Sequence, residues 1–163
     1  MIIISNTTPI ITLLKVDKLE ILKELFKEVY ISKGVYDELV INNSFLDEAK
    51  VIRECNFIKV TSINNEFAVR LLQKNLGLDI GESESIVLCD ELKGNMLIID
   101  ERKGRAVARS MAIDLTGTLG ILLRAKEQGI INKIKPLLDK MIEKDIRISA
   151  KLYEDILKMA KEN

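Results

Sequence analysis

Four oxygen-bearing side chains, Asn6, Glu38, Glu82 and Asp100, occupy positions from which metal-dependent chemistry can be built. Asn6 follows the apolar run Ile2–Ile4, and Asp100 follows the run Met96–Ile99. Bare apolar runs of this length suit parallel strands covered on both faces. In open parallel sheets, ligands bind beyond the C-terminal strand ends. If the two strands are neighbours, Asn6 and Asp100 therefore converge there. Either residue also serves as a cap for the helix that follows, and spacing alone leaves both readings open. Glu82 shares a helical face with Ser85, Ile86, Cys89 and Leu92, whereas Glu84 points elsewhere. Glu38 shares a face with Val35 and Leu39, whereas Asp37 does not. A carboxylate on a stripe that is otherwise small or apolar costs free energy until something compensates it. A divalent cation is one compensator. A Lys or Arg partner is another, as is the helix N-terminal dipole for Glu82.

The chain has no histidine. That excludes His-based general base catalysis, Ser-His-Asp triads and almost every zinc enzyme site. Chemistry must run on carboxylates, Lys, Arg, Ser, Thr or Tyr. Cys55 and Cys89 lie far apart in no metal-type spacing, and are expected as two buried thiols of a cytoplasmic protein. Lys plus Arg equals Asp plus Glu at 25 each, so the molecule as a whole exerts no pull on nucleic acid. Any RNA contact must come from a local patch. Arg102, Arg105 and Arg109 fall on one helical face, beside Lys103, and start two residues after Asp100. Such a stripe holds a phosphate backbone or is a solvated, ion-paired face. Thr116-Gly-Thr-Leu-Gly120 brings Thr hydroxyls and backbone N–H groups to the same edge. It lacks the Lys-Ser/Thr ending and the spacing of a P-loop.

The elements that must position these groups alternate along the chain. Strands are expected at 2–4, 28–32, 57–61, 96–99 and 112–116. Helices are expected at 10–15, 18–27, 35–40, 45–54, 64–75, 81–93, 101–110 and 117–128. Pro9 is well placed to open the first helix, and Asp79 to cap the one that carries Glu82. Two further helices, about 133–143 and 149–161, close the chain, with Ser149 as N-cap. The alternation predicts an α/β fold with a parallel sheet between helical layers. At 163 residues, 47 % apolar and 4 % aromatic with no Trp, one domain over 1–163 with an Ile, Leu and Val core is expected. No run of about 18 apolar residues is present, so no membrane span is expected. The apolar N-terminus lacks a basic region, which argues against a signal peptide. Leu152, Ile156 and Met159 form a stripe for packing across a dimer or against the chain's own domain.

The segments ISNTTPIITL, VYISKGVYDEL, DIGESESIVL, LIIDERKGRAVA and DLTGTLGILLRAKEQGII, spanning about residues 2 to 131, resemble the PIN-domain family in its order. Within it they are similar to a branch of uncharacterised PIN-like proteins. The resemblance implies a three-layer α/β/α fold with a central parallel sheet of four to five strands. It implies a Mg²⁺- or Mn²⁺-dependent ribonuclease, toxin of a toxin–antitoxin pair, with an RNA substrate, a small antitoxin partner and a homodimeric state. The family's metal-binding positions fall at Asn6, Glu38, Glu82 and Asp100, the last three as catalytic acids. The family's hydroxyl falls at Thr7 or Thr8. RNA contact is expected at Arg102, Lys103 and Arg105. Asn6 departs from the family's aspartate. It keeps one oxygen able to ligate a metal but lacks the negative charge. That departure implies an alternative, a catalytically weak or inactive PIN-like module whose work is protein binding.

Overall fold

The computed structural model describes residues 1–163. Five strands form one sheet: β1 (Ile3–Ser5), β2 (Val29–Ser32), β3 (Ile58–Thr61), β4 (Met96–Ile98) and β5 (Leu115–Thr116). All neighbours are parallel, in the order β3-β2-β1-β4-β5. The helices that alternate with them are α1 (Thr7–Lys15), α2 (Glu20–Phe26), α3 (Lys33–Tyr36), α4 (Leu46–Glu54), α5 (Glu66–Leu76) and α6 (Ile80–Glu91). Then come α7 (Arg102–Ser110), α8 (Thr118–Glu127), α9 (Lys135–Glu143) and α10 (Ala150–Met159). The expected alternation and a five-stranded parallel sheet are both present.

Successive strand residues point to opposite faces, and both faces are covered. Ile3, Val29, Ile31, Met96 and Ile98 join a cluster of 29 buried residues with α1, α2, α8, α9 and α10. Ile4, Leu97 and Ile99 join a cluster of 11 with α5, α6 and α7. This two-sided burial is why the strands read as unbroken apolar runs rather than alternating ones.

The chain runs outward from β1 through β2 to β3, then returns to lay β4 on the other side of β1. The strand order therefore reverses between β1 and β4, which opens a crevice beyond their C-terminal ends. Ser5 lies opposite Ile98, and the Asn6 N–H donates to the Ile98 carbonyl at 2.9 Å. The two strand ends are thus level.

Two expectations need correction, and one left open is divided. The helix expected at 35–40 is a single α turn, α3, capped by the Ser32 hydroxyl, followed by a π turn over Asp37–Ile41. There the Asn42 N–H reaches back five residues to the Asp37 carbonyl at 2.8 Å. Cys89 is buried but Cys55 is only half-buried, because it ends α4 just before the edge strand β3. The stripe Leu152, Ile156 and Met159 is split: Ile156 enters the core while Leu152 and Met159 stay exposed. Tyr153, Ile156, Leu157 and Ala160 are the side chains of this segment that pack on the molecule's own core. No helix is long and apolar enough to cross a membrane.

Candidate active site

Three consecutive residues at the end of β1 fasten carboxylates from distant segments. Asn6 occupies the N-cap position of α1, yet its side chain caps no helical N–H. Its Nδ2 instead donates to Glu101 Oε2 at 3.1 Å. Its Oδ1 is buried with no hydrogen-bond partner. The Thr7 hydroxyl donates to Glu38 Oε2 at 2.6 Å, and the Thr8 hydroxyl to Glu101 Oε1 at 2.5 Å. Both threonines left open by the sequence are therefore engaged, each with a different acid.

Glu38 rides on the π turn, between the fully buried Val35 and Leu39. Turns of this width are uncommon and tend to occur at functional sites. Glu82 sits in the first turn of α6, whose cap is Asp79: Asp79 Oδ1 accepts the Glu82 N–H at 2.7 Å. Two glycines let the carboxylates come close. A Cβ on residue 81 would lie 2.7 Å from Glu38 Oε1 and 3.2 Å from Asn6 Oδ1. A Cβ on residue 104 would lie 2.9 Å from Glu82 Oε2.

Asp100 faces another way. Its Oδ1 accepts the Thr118 N–H at 2.7 Å and its Oδ2 the Thr118 hydroxyl at 2.6 Å. Of the two capping expectations, Asn6 caps nothing with its side chain, and Asp100 caps α8 rather than the helix that follows it in sequence. The Thr118 amide and hydroxyl, expected as free donors at this edge, are occupied by Asp100.

The electrostatics are those of crowded acids. Burial, then hydrogen bonding with and the charge of Asp79, then the charge of Glu101, push the Glu82 carboxyl up to about 7. Burial also raises Glu38, with help from the charges of Asp79, Glu101 and Glu84 and against the hydrogen bond from Thr7. Asp100 is raised by burial against its two Thr118 hydrogen bonds, with the charge of Glu101 adding to the rise. Glu101 is thus the common neighbour of all three. Its helical spacing does not single it out in the sequence. The available signal was the pair Asp100-Glu101 directly after a buried strand, where two adjacent carboxylates cannot both serve as a single helix cap.

No three acidic groups are arranged to hold a metal ion directly. The donors nevertheless fit a hard cation that keeps part of its water shell, as Mg²⁺ does with one or two direct carboxylates. Asn6 Oδ1 is an orphaned acceptor beside Glu38. None of Glu38, Glu82, Asp100 and Glu101 is ion-paired to a Lys or Arg; the ion pairs of the chain lie elsewhere. On the basic side, Arg102 and Lys103 are exposed. Lys103 Nζ donates to the Gly77 carbonyl at 3.4 Å. Arg105 is half-buried and donates to the Ile99 carbonyl at 2.8 Å, so it braces the end of β4 beside Asp100.

No curated protein matches the chain. A family model for the PIN domain matches residues 2–162, nearly the whole length. With the five-stranded parallel sheet and the acids gathered at its switch point, the conclusion is that the chain belongs to the PIN-domain family, whose fold is of the nuclease type.

Proposed function

We propose that this protein is a divalent-metal-dependent ribonuclease that hydrolyses RNA phosphodiester bonds. The supporting observation is that Glu38 and Glu82 both feel the charge of Glu101, which Asn6 and Thr8 hold, with the unpartnered Asn6 Oδ1 beside Glu38 and no basic side chain ion-paired to any of these acids. A fold that held such acids only for structure would have matched them with Lys or Arg. Divalent ions are general in this family, and Mg²⁺ or Mn²⁺ is the ion proposed.

Glu82 is assigned to hold the ion, Asn6 Oδ1 to complete its shell, Glu38 to bind or orient through water, and Asp100, whose oxygens already accept from Thr118, to contribute only through its remaining lone pairs. Bound there, such an ion supplies acidification of water and stabilisation of charge on a phosphate. Thr7 fixes the rotamer of Glu38. Asn6 and Thr8 fix Glu101, whose charge keeps the pocket attractive to cations. Arg102 and Lys103 offer exposed charge for the RNA strand, and Arg105 holds the β4 end on which Asp100 stands. With no histidine in the chain, the leaving oxygen takes its proton from water or another group. A toxin's role beside a small antitoxin protein, in a cytoplasmic homodimer, belongs to the same proposal.

Asn6 favours one second proposal, a weak or inactive nuclease fold that works by protein binding. One experiment separates the two. Purified protein is incubated with structured RNAs and Mn²⁺ beside Glu82→Gln, Asp100→Ala and Asn6→Asp, with folding followed by circular dichroism. Cleavage by the wild type that is lost in folded Glu82→Gln supports the nuclease. Manganese binding without cleavage, with activity appearing only in Asn6→Asp, supports the second proposal. Neither binding nor cleavage by any form overturns both.

A further inference from the structure

Beside the acids lies a cleft of about 360 Å³ that the assignments above leave without a role. Its inner wall is Thr8 and Thr12 from α1, Asp100 after β4, and Thr118 at the start of α8. Its outer wall is built by α9, α10 and the segment joining them, through Met141, Ile146, Arg147, Ile148 and Leu152. One side of the cleft is therefore polar and shares Thr8 and Asp100 with the acidic site. The other is aliphatic and ends in a cation. The Arg147 guanidinium is exposed and makes no ion pair or hydrogen bond within the chain.

We infer that this cleft is the seat of the nucleotide next to the scissile phosphate, its base against Leu119, Ile148 and Leu152 and its phosphate at Arg147. The inference rests on the nuclease proposal for its setting, but not for its test. Three observations carry it. The volume lies at the small end of the range for small-molecule clefts, as one nucleotide requires. The wall sets polar oxygens opposite an apolar surface: the Thr8 and Thr118 hydroxyls already donate to Glu101 and Asp100 and keep acceptor capacity for a sugar hydroxyl, while the aliphatic side suits a base. The unpaired guanidinium complements a phosphate, bidentate on the oxygens, and also stacks on a base plane. Since no aromatic side chain lines the cleft, stacking is weak and base preference is expected to be slight. The C-terminal helices thereby gain a role beyond packing: they form the substrate-facing wall of a cleft whose other wall stands at the C-terminal edge of the sheet.

The test uses the full chain with methyl-labelled Ile, Leu and Met, titrated with uridine and adenosine 5′-monophosphates in the presence of a chelator. Shifts are expected at the methyls of Leu119, Met141, Ile148 and Leu152. Arg147→Ala should weaken both nucleotides about tenfold, the loss of one charge-assisted contact, with Arg147→Lys recovering part of it. Arg147 is exposed, so the variant's fold is not at stake. Methyl spectra that do not move, shifts centred away from the cleft, or equal binding by Arg147→Ala would each overturn the assignment. Because no metal is present, a negative Mn²⁺ titration of the wild type bears on the nuclease proposal alone, and a negative nucleotide titration on the cleft alone.

Discussion

Glu82 and Glu162 are chemically identical and both withdrawn from water, Glu82 buried and Glu162 half-buried, yet their charges are met in opposite ways. At Glu162, burial alone would raise the carboxyl, but the Ile134 and Lys135 amides and the Lys126 ammonium outweigh it and hold the group below its ordinary range. Those donors stand at 2.7, 3.0 and 2.9 Å. The result is a clasp that ties the end of α10 to α8 and to the start of α9. At Glu82 the neighbours are Asp79 and Glu101, and the carboxyl is pushed the other way, to about 7. One buried charge is satisfied by the fold. The other is left for something outside it, which is what separates a structural carboxylate from one kept for binding.

Removing each carboxylate gives the largest effect. Glu162→Ala leaves two backbone N–H groups without their acceptor and the half-buried Lys126 ammonium without its counter-charge, bonded only to the Ala160 carbonyl, and should cost about 3 kcal/mol in urea unfolding. Glu82→Gln in metal-free protein should cost nothing or raise stability, since it removes a charge the fold does not compensate. Equal losses in the two variants would erase the distinction between the sites.

Metal sharpens the contrast next. Manganese at about 100 times its Kd should stabilise the wild type by about 2.7 kcal/mol, read as a shift in the urea midpoint. Glu162→Ala should keep that increment in full. Glu82→Gln should lose most of it. An increment that survives in Glu82→Gln would place the ion elsewhere.

The pH profile of the metal-free protein comes third. For Glu82 the folded value, about 7, lies above the ordinary 4.5. Between the two, the unfolded chain is ionised while the folded one keeps its proton. Stability contributed by this group therefore falls as pH rises through that window, by about 2 kcal/mol after allowance for solvent screening. Glu82→Gln should flatten this limb. Glu162 works in reverse: its contribution is present above the ordinary carboxyl range and lost as pH falls through its lowered value. Glu162→Ala should thus lower the plateau above that range and flatten only the acid limb, leaving the Glu82 limb in place.

Much of this was legible in the chain. The bare apolar runs Ile2–Ile4 and Met96–Ile99 gave the two central strands because a strand buried on both faces has no polar alternation to blur it. Helical spacing placed Glu82 on its buried face, and Asp79 was readable as a cap because an Asp three residues before the capped N–H is a local signal. The Asp100-Glu101 pair marked Glu101 as unusual, but its partners were not readable. Its role depends on hydrogen bonds to Asn6 and Thr8, more than ninety positions earlier, and no local pattern encodes such a pairing. The π turn escaped for a related reason: one extra residue in a turn leaves the Val35 and Leu39 positions apolar and the periodicity nearly intact. The split of the α10 stripe is tertiary as well, since Ile156 and Met159 are equally apolar and only the position of α8 decides which is covered.

The smallest effect comes from converting Asn6 so that the acidic site is pushed further from the Glu162 pattern. In Asn6→Asp the donor Nδ2, now 3.1 Å from Glu101 Oε2, becomes a carboxylate oxygen facing a carboxylate. The metal-free protein should lose about 1 kcal/mol, one hydrogen bond exchanged for a screened repulsion. The same substitution adds a charge where Oδ1 already lacks a partner, so Mn²⁺ should bind about tenfold tighter, a gain comparable in size to the loss. The two changes have opposite signs because they act on one charge in two surroundings: without the ion it is uncompensated, and with the ion it is a ligand. Calorimetric titration with Mn²⁺ and urea unfolding in chelator measure them separately. If Asn6→Asp destabilised the apo protein without tightening the metal, Asn6 would be a structural amide like the donors around Glu162, and the site would lose the residue that best marks it as built for an ion.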